Sequence, residues 1–591
     1  MSTTKNIFKK ILIWRYKHIS ERQFVYILSI LVGFLAGLGT VILKNITHYI
    51  QLLLTIDLLK GYQNSMYFIF PIIGLCIVAI IKKTWLKKHI GHGISTTLHA
   101  ISKRKGIIPK YNIYASLITA PLTVGFGGSV GLQGPAVSAG TALASYTSKL
   151  FHMNTKTRML LIGCATAGAM SSMFKAPIAG IVFALEVFSL DIAFVSLVPL
   201  LLASVAAIVT SYLFLGADVL LGFELNDTFQ IRDIGFYAIF GIITGIVSVY
   251  FSVVYFAIRK FFYQFEKRFV RLSIGSVIIG FILYAMPALY GEGYGLINNL
   301  LKGNHIAAIG NTPFSFDHNN VWIVIVLLLL ITAFKAIAMS TTFAAGGVGG
   351  IFIPTLVMGS ALGNASAKII NTLGFHVSEA NFTLIGMTGL MAGVLHAPLT
   401  AIFLIAEITG GYDLFVPLML VAAISFSITK YFVSNSIYTY KLAQRGELIT
   451  HNKDKNVMMM MQINDLIETN FKPVQPQMLL GEMLKKAVAT SARNIFPVVN
   501  DDKQFLGIVL LDDIRPIMFD TEMYNSITVE AIMKSAPEFI QESESVAAVM
   551  NKFKSSGAWN LPVLREEKYI GFISKSKLLT AYRNKLVEVT V

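Results

Sequence analysis

Residues 127–135 read GGSVGLQGP, a glycine-rich turn that leads into a predicted helix start between long apolar spans. The first N–H groups of a helix have no acceptor within the helix, and the aligned peptide dipoles place a partial charge of roughly +0.5 there. In hydrocarbon, little other than an anion can satisfy such a site. The central side chain is that of Gln133, so the sequence predicts an anion site beside an amide that cannot ionise.

The composition around this stretch is that of a membrane protein. The chain has 591 residues, of which 54% are hydrophobic and 14% charged, and its mean hydropathy is +0.65. A soluble protein of this size would carry about 25% charged residues. Apolar stretches recur from Phe24 to Phe432, several of them long enough to cross ~30 Å of hydrocarbon. After about Leu442 they stop, which indicates a soluble C-terminal region.

The distribution of charge favours a lipid bilayer over nucleic acid as the partner. The formal net charge is +17, but the basic residues cluster beside apolar spans, at 5–17, 82–88 and 259–271. Such clusters are typical of cytoplasmic flanks. The apolar run from Val25 is too long for a signal peptide and lacks a small-residue cleavage site, so we expect it to be retained. No catalytic triad, phosphate-binding loop or metal-ligand spacing is present, so neither an enzyme nor a metal site is predicted.

The membrane part repeats itself. Three landmarks of the first half, Gly131, Pro135 and Gly140, recur at a constant offset of 219 as Gly350, Pro354 and Gly359. Further matches are Ala176-Pro177 and Glu186 with Ala397-Pro398 and Glu407, and, more loosely, 91–94 (GHGI) with 291–294 (GEGY). Duplicated halves with interrupted spans are typical of channels and transporters whose site lies where broken helices meet. The spacing alone leaves the relative orientation of the halves open.

The C-terminal region also contains a repeat. A strand, turn and strand at 494–509 (NIFPVV and FLGIV) recurs at 560–573 (NLPVL and YIGFI), about 64 residues later. An amphipathic helical stretch precedes each copy. The pattern predicts two α/β units packed as a pseudo-symmetric pair.

With these motifs in view, the chain resembles the CLC family of chloride channels and proton-coupled anion exchangers from about Glu21 to Gly446, followed by a CBS-domain pair. The motif GHGIS at 91–95 stands where the family has Gly-Ser-Gly-Ile-Pro, and GLQGP at 131–135 stands where it has Gly-Lys/Arg-Glu-Gly-Pro. GIFIP at 350–354 matches closely, as does 391–400 (MAGVLHAPLT). Tyr438 matches the tyrosine that the family places at its central anion site.

The resemblance implies an all-α polytopic membrane protein, a duplicated inverted-repeat bundle with broken helices, plus a C-terminal α/β CBS pair. The expected domains are a cytoplasmic segment 1–22, a membrane domain 23–446 with repeats at about 23–230 and 231–446, and the CBS pair at 447–591, with copies near 460–520 and 525–585. It also implies a homodimer with one anion path per subunit. We expect a multi-pass protein of a bacterial inner (plasma) membrane with the N-terminus and CBS domains cytoplasmic.

The family's binding residues transfer to two sites. In the central anion site, the N–H groups of Ile351 and Phe352 and the hydroxyl of Tyr438 would hold the anion, and His92 replaces the serine that normally touches it. In the outer anion site, the N–H groups of Leu132, Gln133 and Gly134 would hold a second anion. Such neutral donors bind chloride without trapping it.

Two departures from the family decide the predicted mechanism. Gln133 stands at the position of the external gating glutamate, which blocks the anion position when ionised and withdraws when protonated. Glutamine matches the neutral form but cannot carry a proton. Val187 stands at the inner proton-relay glutamate, as in channel members. Glu186 and its counterpart Glu407 are interpreted as helix-end or hydrogen-bonding acids, although an intramembrane carboxylate is also a functional candidate.

Three hypotheses follow. The favoured one is a passive chloride channel or uniporter for small anions, with chloride as bound substrate and no cofactor required. The alternative is a proton-coupled chloride or fluoride exchanger that uses His92 or Glu186 as a substitute relay. Because its reference pKa is near ~6.5, His92 could make conduction acid-sensitive, or it could turn into a neighbouring hydrogen bond instead. A non-transporting membrane sensor is the third, and the intact anion motifs argue against it.

The CBS copies differ at the position that binds a nucleotide ribose in many such domains. The first copy keeps an aspartate there, Asp513, whereas the second has Lys577, and Leu510 replaces the usual threonine or serine of the first. Adenine-nucleotide binding at Asp513 is therefore one hypothesis, and a purely structural, dimerising tail is the favoured one.

Overall fold

The computed structural model describes residues 15, 17–54, 63–86, 93–188, 194–216, 229–309, 312–314, 320–445, 447, 457–458 and 461–590. Two compact units make up the chain, residues 1–445 and 446–591. His92 lies outside the described residues, as does the glycine before it.

The first unit is helical and contains two successive series of helices. The first series consists of α1 (Glu21–Leu54), α2 (Gln63–Ile81, extended by a π-helical turn Lys82–Leu86), α3 (Gly93–Lys103), α4 (Tyr111–Gly125), α5 (Gln133–Leu150), α6 (Thr155–Phe174), α7 (Pro177–Phe188) and α8 (Phe194–Leu215). The second consists of α9 (Ile234–Tyr263), α10 (Arg268–Ala285), α11 (Tyr294–Leu301), α12 (His305–Ile309), α13 (Val321–Ala344), α14 (Phe352–Thr372), α15 (Glu379–Leu395), α16 (Pro398–Ile408) and α17 (Phe415–Phe432), followed by the short α18 (Tyr440–Gln444).

The repeat extends to the way in which helices begin and end. Asn154 caps α6 by accepting from the Thr157 N–H, and Ser378 caps α15 in the same way. Both helices end at a residue in the left-handed region, Lys175 with φ 58° and His396 with φ 55°. Each is followed by Ala-Pro, and the proline opens the next helix, where its missing N–H costs nothing. Equivalent sequence signals therefore produce equivalent breaks in the two halves.

Seven helices in the described part of the chain are long and apolar enough to cross a membrane, namely α1, α2 with its π-helical turn, α8, α9 with the 3₁₀ turn before it, α10, α13 and α17. Large apolar side chains on them are exposed, for example Leu213 of α8 and Phe281 of α10. By contrast, α7 and α16, of 12 and 11 residues, are too short to span hydrocarbon. The long helices therefore have the length and the exposed apolar surface of bilayer-spanning segments, whereas α7 and α16 lack the length.

Small residues let the helix starts at the centre of the unit approach closely. The N–H of Gly131 donates to the carbonyl of Gly350 at 3.0 Å, and the N–H of Gly350 donates back at 2.7 Å. This antiparallel bridge lies just before α5 and α14. A Cβ added to Gly350 would lie 2.8 Å from the nitrogen of Gly134, closer than real Cβ contacts allow. The two motifs found at an offset of 219 thus pair with each other in opposite directions, which fixes the orientation that spacing left open.

The second unit contains two small sheets. In one, β1 (Ile495–Val499) pairs antiparallel with β2 (Phe505–Leu510). In the other, β3 (Ile540–Gln541) runs parallel to β4 (Asn560–Arg565), which pairs antiparallel with β5 (Lys568–Ser574). Isolated bridges link each sheet to the other copy's flank, since Glu468 joins Phe572 and Lys534 joins Ile508. The helices of this unit are α19 (Leu480–Met483), α20 (Leu511–Ile514), α21 (Val529–Ile532), α22 (Val546–Ser556) and α23 (Lys575–Thr590).

Candidate functional site

The predicted anion sites lie at two helix starts that share one bridge. Leu132 and Ile351 follow the paired glycines directly and are the N-cap residues of α5 and α14. The first N–H groups of both helices therefore extend from the same point, each at the positive end of its helix dipole. All of these residues are buried.

The start of α14 supplies the donors predicted for the central anion site. The N–H groups of Ile351 and Phe352 precede Pro354, which has no N–H to compete for the same acceptor. Phe352 is fixed by Phe174 and Phe183, whose ring centroids lie 5.1 and 6.1 Å from its own. Aromatic packing therefore holds the ring of Phe352 in place, and its carbonyl accepts from the Thr355 hydroxyl at 2.6 Å.

Tyr438 is tied to these helix starts through α3. The hydroxyl of Ser95 donates to the carbonyl of Tyr438 at 2.9 Å. At the start of the same helix, a Cβ on Gly93 would overlap the carbonyl of Gly134 in α5. The Tyr438 hydroxyl is buried and has no partner among the described residues. Such a group requires an explanation, and a bound anion supplies one.

Gln133 lies fully buried at the start of α5. Its Nε2 donates to the hydroxyl of Tyr294 at 3.3 Å, and its Oε1 has no partner within the described ranges. Tyr294 belongs to the loosely matched motif of the second half. The side chain at the gating position is thus turned towards the other repeat.

Glu292, for which the sequence predicts no role, reaches the predicted outer anion site. The N–H of Leu132, predicted there to hold an anion, donates to Glu292 Oε1 at 3.0 Å. Among the described residues this is the only hydrogen bond to the carboxylate. A sequence signal existed, because a lone acid lies between the glycines of a motif that aligned with 91–94. Its contact with Leu132 could not be read from that alignment.

The Glu292 loop is anchored to the loop before α5. Ser129 Oγ donates to the carbonyl of Leu289 at 2.7 Å, and the N–H of Gly291 donates to the carbonyl of Gly127 at 3.3 Å. The fully buried Lys335 of α13 donates from Nζ to the carbonyls of Leu289 and Gly291, at 3.3 and 3.1 Å. The carboxylate therefore projects from a fixed backbone.

Glu186 and Glu407 lie at helix starts of the opposite repeat. Glu186 accepts from the N–H groups of Leu399 and Thr400, at 3.1 and 2.9 Å, and from the Thr400 hydroxyl at 2.6 Å. Glu407 accepts from the N–H groups of Ile178 and Ala179, at 2.9 and 2.7 Å. This agrees with their interpretation as helix-end acids, and it adds that the exchange between α7 and α16 is reciprocal. Val187, next to Glu186, is buried and has no group that binds a proton.

In the second unit, the predicted nucleotide position carries an ion pair. Asp513 Oδ1 lies 2.7 Å from Lys534 Nζ, while its buried Oδ2 has no partner among the described residues. Lys577, the equivalent residue of the second copy, donates from Nζ to the carbonyl of Ile467 at 3.2 Å. No group of three or more metal-ligating side chains occurs in the described part of the chain.

Known proteins are similar to this chain in sequence and in fold. The family described as voltage gated chloride channel matches residues 73–430, and the CBS domain matches 463–520 and 529–584. Among curated relatives, the H(+)/Cl(-) exchange transporter ClcA of Vibrio cholerae serotype O1 is 26% identical over 67% of this chain and 84% of its own length. The voltage-gated ClC-type chloride channel ClcB of Escherichia coli O9:H4 is 26% identical over 57% of this chain and 78% of its own.

A solved structure, that of a eukaryotic CLC transporter, covers 94% of this chain and 97% of its own with a TM-score of 0.61 and 16% identity. The predicted fold class, a duplicated helical membrane bundle followed by a CBS pair, is thereby confirmed. With the family match extending over more than half of its length, the chain belongs to the voltage gated chloride channel (CLC) family.

Proposed function

We propose that this protein is a passive channel or uniporter for chloride and other small anions, without coupling to protons. The observation that carries the proposal is that neither position expected to move a proton can bind one. Gln133 at the outer anion site is a neutral amide, and Val187 is an alkyl side chain. An anion that crosses beside them has no titrating partner at either position.

The proposed central anion site is built from neutral dipoles. The N–H groups at the start of α14 and the unpartnered hydroxyl of Tyr438 are the donors of the proposed central site. They attract an anion through partial charges, without the strong ion pair that a lysine would form there. Conduction requires binding that is favourable enough to enter and weak enough to leave.

The alternative, a proton-coupled exchanger, needs a substitute relay. Glu186 is a poor one, because both of its carboxylate oxygens already accept hydrogen bonds from the start of α16. Protonating it would weaken that helix contact. His92, the other candidate, lies outside the described residues. The relatives are named as an exchange transporter in one case and a channel in the other, so their names support chloride as the substrate without choosing between the two modes.

The experiment is chloride efflux from liposomes with simultaneous recording of external pH. The purified protein should dissipate a chloride gradient while the external pH stays at the level of protein-free liposomes. The Vibrio cholerae relative named as an H(+)/Cl(-) exchange transporter serves as the control that moves both ions. Uphill proton movement driven by chloride in a fixed ratio would contradict the proposal, and absence of chloride flux would contradict anion transport altogether.

The oligomeric state, the location and the role of the CBS pair are proposed on the same basis. We propose a homodimer in a bacterial inner membrane, with residues 1–22 and the CBS pair in the cytoplasm. No cofactor is needed for conduction, and the CBS pair serves as a dimerising tail. Binding of an adenine nucleotide at Asp513 would require its ion pair with Lys534 to open or to take part in binding.

A further inference from the structure

We infer that Glu292 is the gate of the anion path, a carboxylate supplied to the outer anion site by the other repeat. In its ionised form it occupies the position that an anion must take at the start of α5, and it has to leave before an anion can pass. The inference rests on the proposed function, because it assigns a gate to that same path.

A donor of the outer anion site is already occupied by Glu292. The Leu132 N–H, one of the donors of the outer anion site, is already used by Glu292 Oε1 at 3.0 Å. A chloride ion and a carboxylate oxygen need the same N–H and the same positive helix end, so they exclude each other.

Glu292 also differs from the neighbouring polar side chains in its burial and in how firmly it is held. Glu292 keeps part of its surface exposed, whereas Gln133 has an exposed fraction of 0%. Glu292 is also held by a single hydrogen bond from the described residues, in contrast to the two or three that hold Glu407 and Glu186. The carboxylate is weakly tethered on a fixed backbone, which suits a group that moves.

The charges that face Glu292 come from three elements. Lys44 of α1 and Lys335 of α13 act on it as cations, and Tyr294 of α11 is the remaining titratable neighbour. Lys175, at the end of α6, acts on Lys44 in turn. When the carboxylate is neutral or withdrawn, the lysines remain and favour another anion in its place. Gln133 suits this arrangement, since a second carboxylate at the same helix start would repel the first.

The direction in which chloride flux depends on pH follows from the competition between chloride and the ionised Glu292 carboxylate. The ionised carboxylate binds the Leu132 N–H and excludes chloride, while the protonated form no longer carries the charge that the helix start favours. Chloride flux should therefore rise as pH falls through the titration of Glu292. Chloride concentration should oppose the gate in the same way, because chloride and carboxylate compete for one site.

The test is Glu292→Gln in the liposome efflux assay, compared with the unmodified protein at about pH 7.5 and about pH 4.5. The unmodified protein should gain at least about tenfold in flux between the two, whereas the variant should be fast at both and vary less than about twofold. Glu379→Gln is the matched control, because Glu379 pairs with Lys368 at 2.7 Å, away from the anion path. It should retain the pH profile of the unmodified protein.

A Glu292→Gln variant that keeps the original pH profile, or that is slower at about pH 7.5, would overturn the inference. Should this variant not fold, Glu292→Asp gives the same information, because its shorter side chain draws the charge away from Leu132 and should raise flux at neutral pH; no increase would overturn the inference. Failure of the proposed function is seen separately, in the proton signal. Stoichiometric proton movement by the unmodified protein would end the passive mode, whereas the effect of residue 292 on the pH profile would still report on the gate.

Discussion

Carboxylates cross between the two repeats at two places, and the two places differ in symmetry. Glu186 and Glu407 are exchanged reciprocally, each at the start of a helix in the other half. Glu292 reaches the start of α5 alone, since the matching position in the first half is His92. The equivalent contact of Glu186 and Glu407 is thus present in both halves of the repeat. Glu292, which has no acidic counterpart in the first half, is a position at which the two halves differ.

The hydrogen bonds show what each carboxylate does. Every oxygen of Glu186 and Glu407 has a donor, so these acids complete helix ends that would otherwise be unsatisfied inside the bilayer. Glu292 has one donor among the described residues. A carboxylate that accepts from a helix start thus occurs both where we assign a structural role, at Glu186 and Glu407, and where we propose a gate, at Glu292. The number of donors distinguishes the two cases.

The largest effect is expected on the stability of the protein, at the reciprocal pair Glu186 and Glu407. Glu186→Ala removes the acceptor of the Leu399 and Thr400 N–H groups and of the Thr400 hydroxyl, and the loss of these charge-assisted hydrogen bonds should lower the free energy of unfolding by about 3 kcal/mol. Thermal unfolding in detergent measures the loss. Glu407→Ala should behave alike, because its carboxylate makes the equivalent contact.

The same Glu186→Ala protein also tests the division of roles. Protein that remains folded should keep the pH dependence of chloride flux, measured in liposomes. If unfolding were unchanged and the pH dependence were lost, Glu186 would be a proton relay and the contrast with Glu292 would disappear.

Much of this arrangement could be predicted from sequence. The motifs GLQGP and GIFIP, at their constant offset, predicted two helix starts, and Glu186 was correctly interpreted as a helix-end acid. The donors assigned to the two anion sites stay a prediction. These features depend on residues close together in the chain. Glycine and proline impose local conformations that can be recognised without tertiary structure.

What could not be predicted depends on packing between the halves. Spacing did not reveal that Gly131 bonds to Gly350, nor that Glu186 caps α16 rather than its own helix. Glu292 was missed for the same reason, because its position beside Leu132 is set by the docking of two loops 160 residues apart. The substitution at Gln133 therefore suggested that a titratable gate was absent, whereas the structure supplies a carboxylate from elsewhere.

Moving the carboxylate from residue 292 to residue 133 tests whether the start of α5 is the gating position. Glu292→Gln alone should remove the pH dependence of chloride flux, and adding Gln133→Glu should restore at least about a tenfold ratio between acidic and neutral pH, because a carboxylate again competes for the outer anion site. Liposome efflux at several pH values is the measurement.

The matched control for this exchange is Glu292→Gln with Gln133→Leu, which alters residue 133 without returning a charge. It should remain independent of pH. A double variant with glutamate at 133 that stayed independent as well would mean that the start of α5 is not the gating position in either repeat.

The smallest effect concerns the cation on α1. Lys44→Met keeps the length of the side chain but removes one of the two positive charges that stabilise the ionised Glu292, so the carboxylate should accept a proton more readily. The midpoint of the flux–pH curve should move to higher pH by about half a unit. Lys368→Met, which removes a lysine paired with Glu379 instead, should leave the midpoint in place. A midpoint that moved to lower pH, or equally in both variants, would mean that a group other than Glu292 is titrating, because a carboxylate that loses a neighbouring cation can shift only upwards.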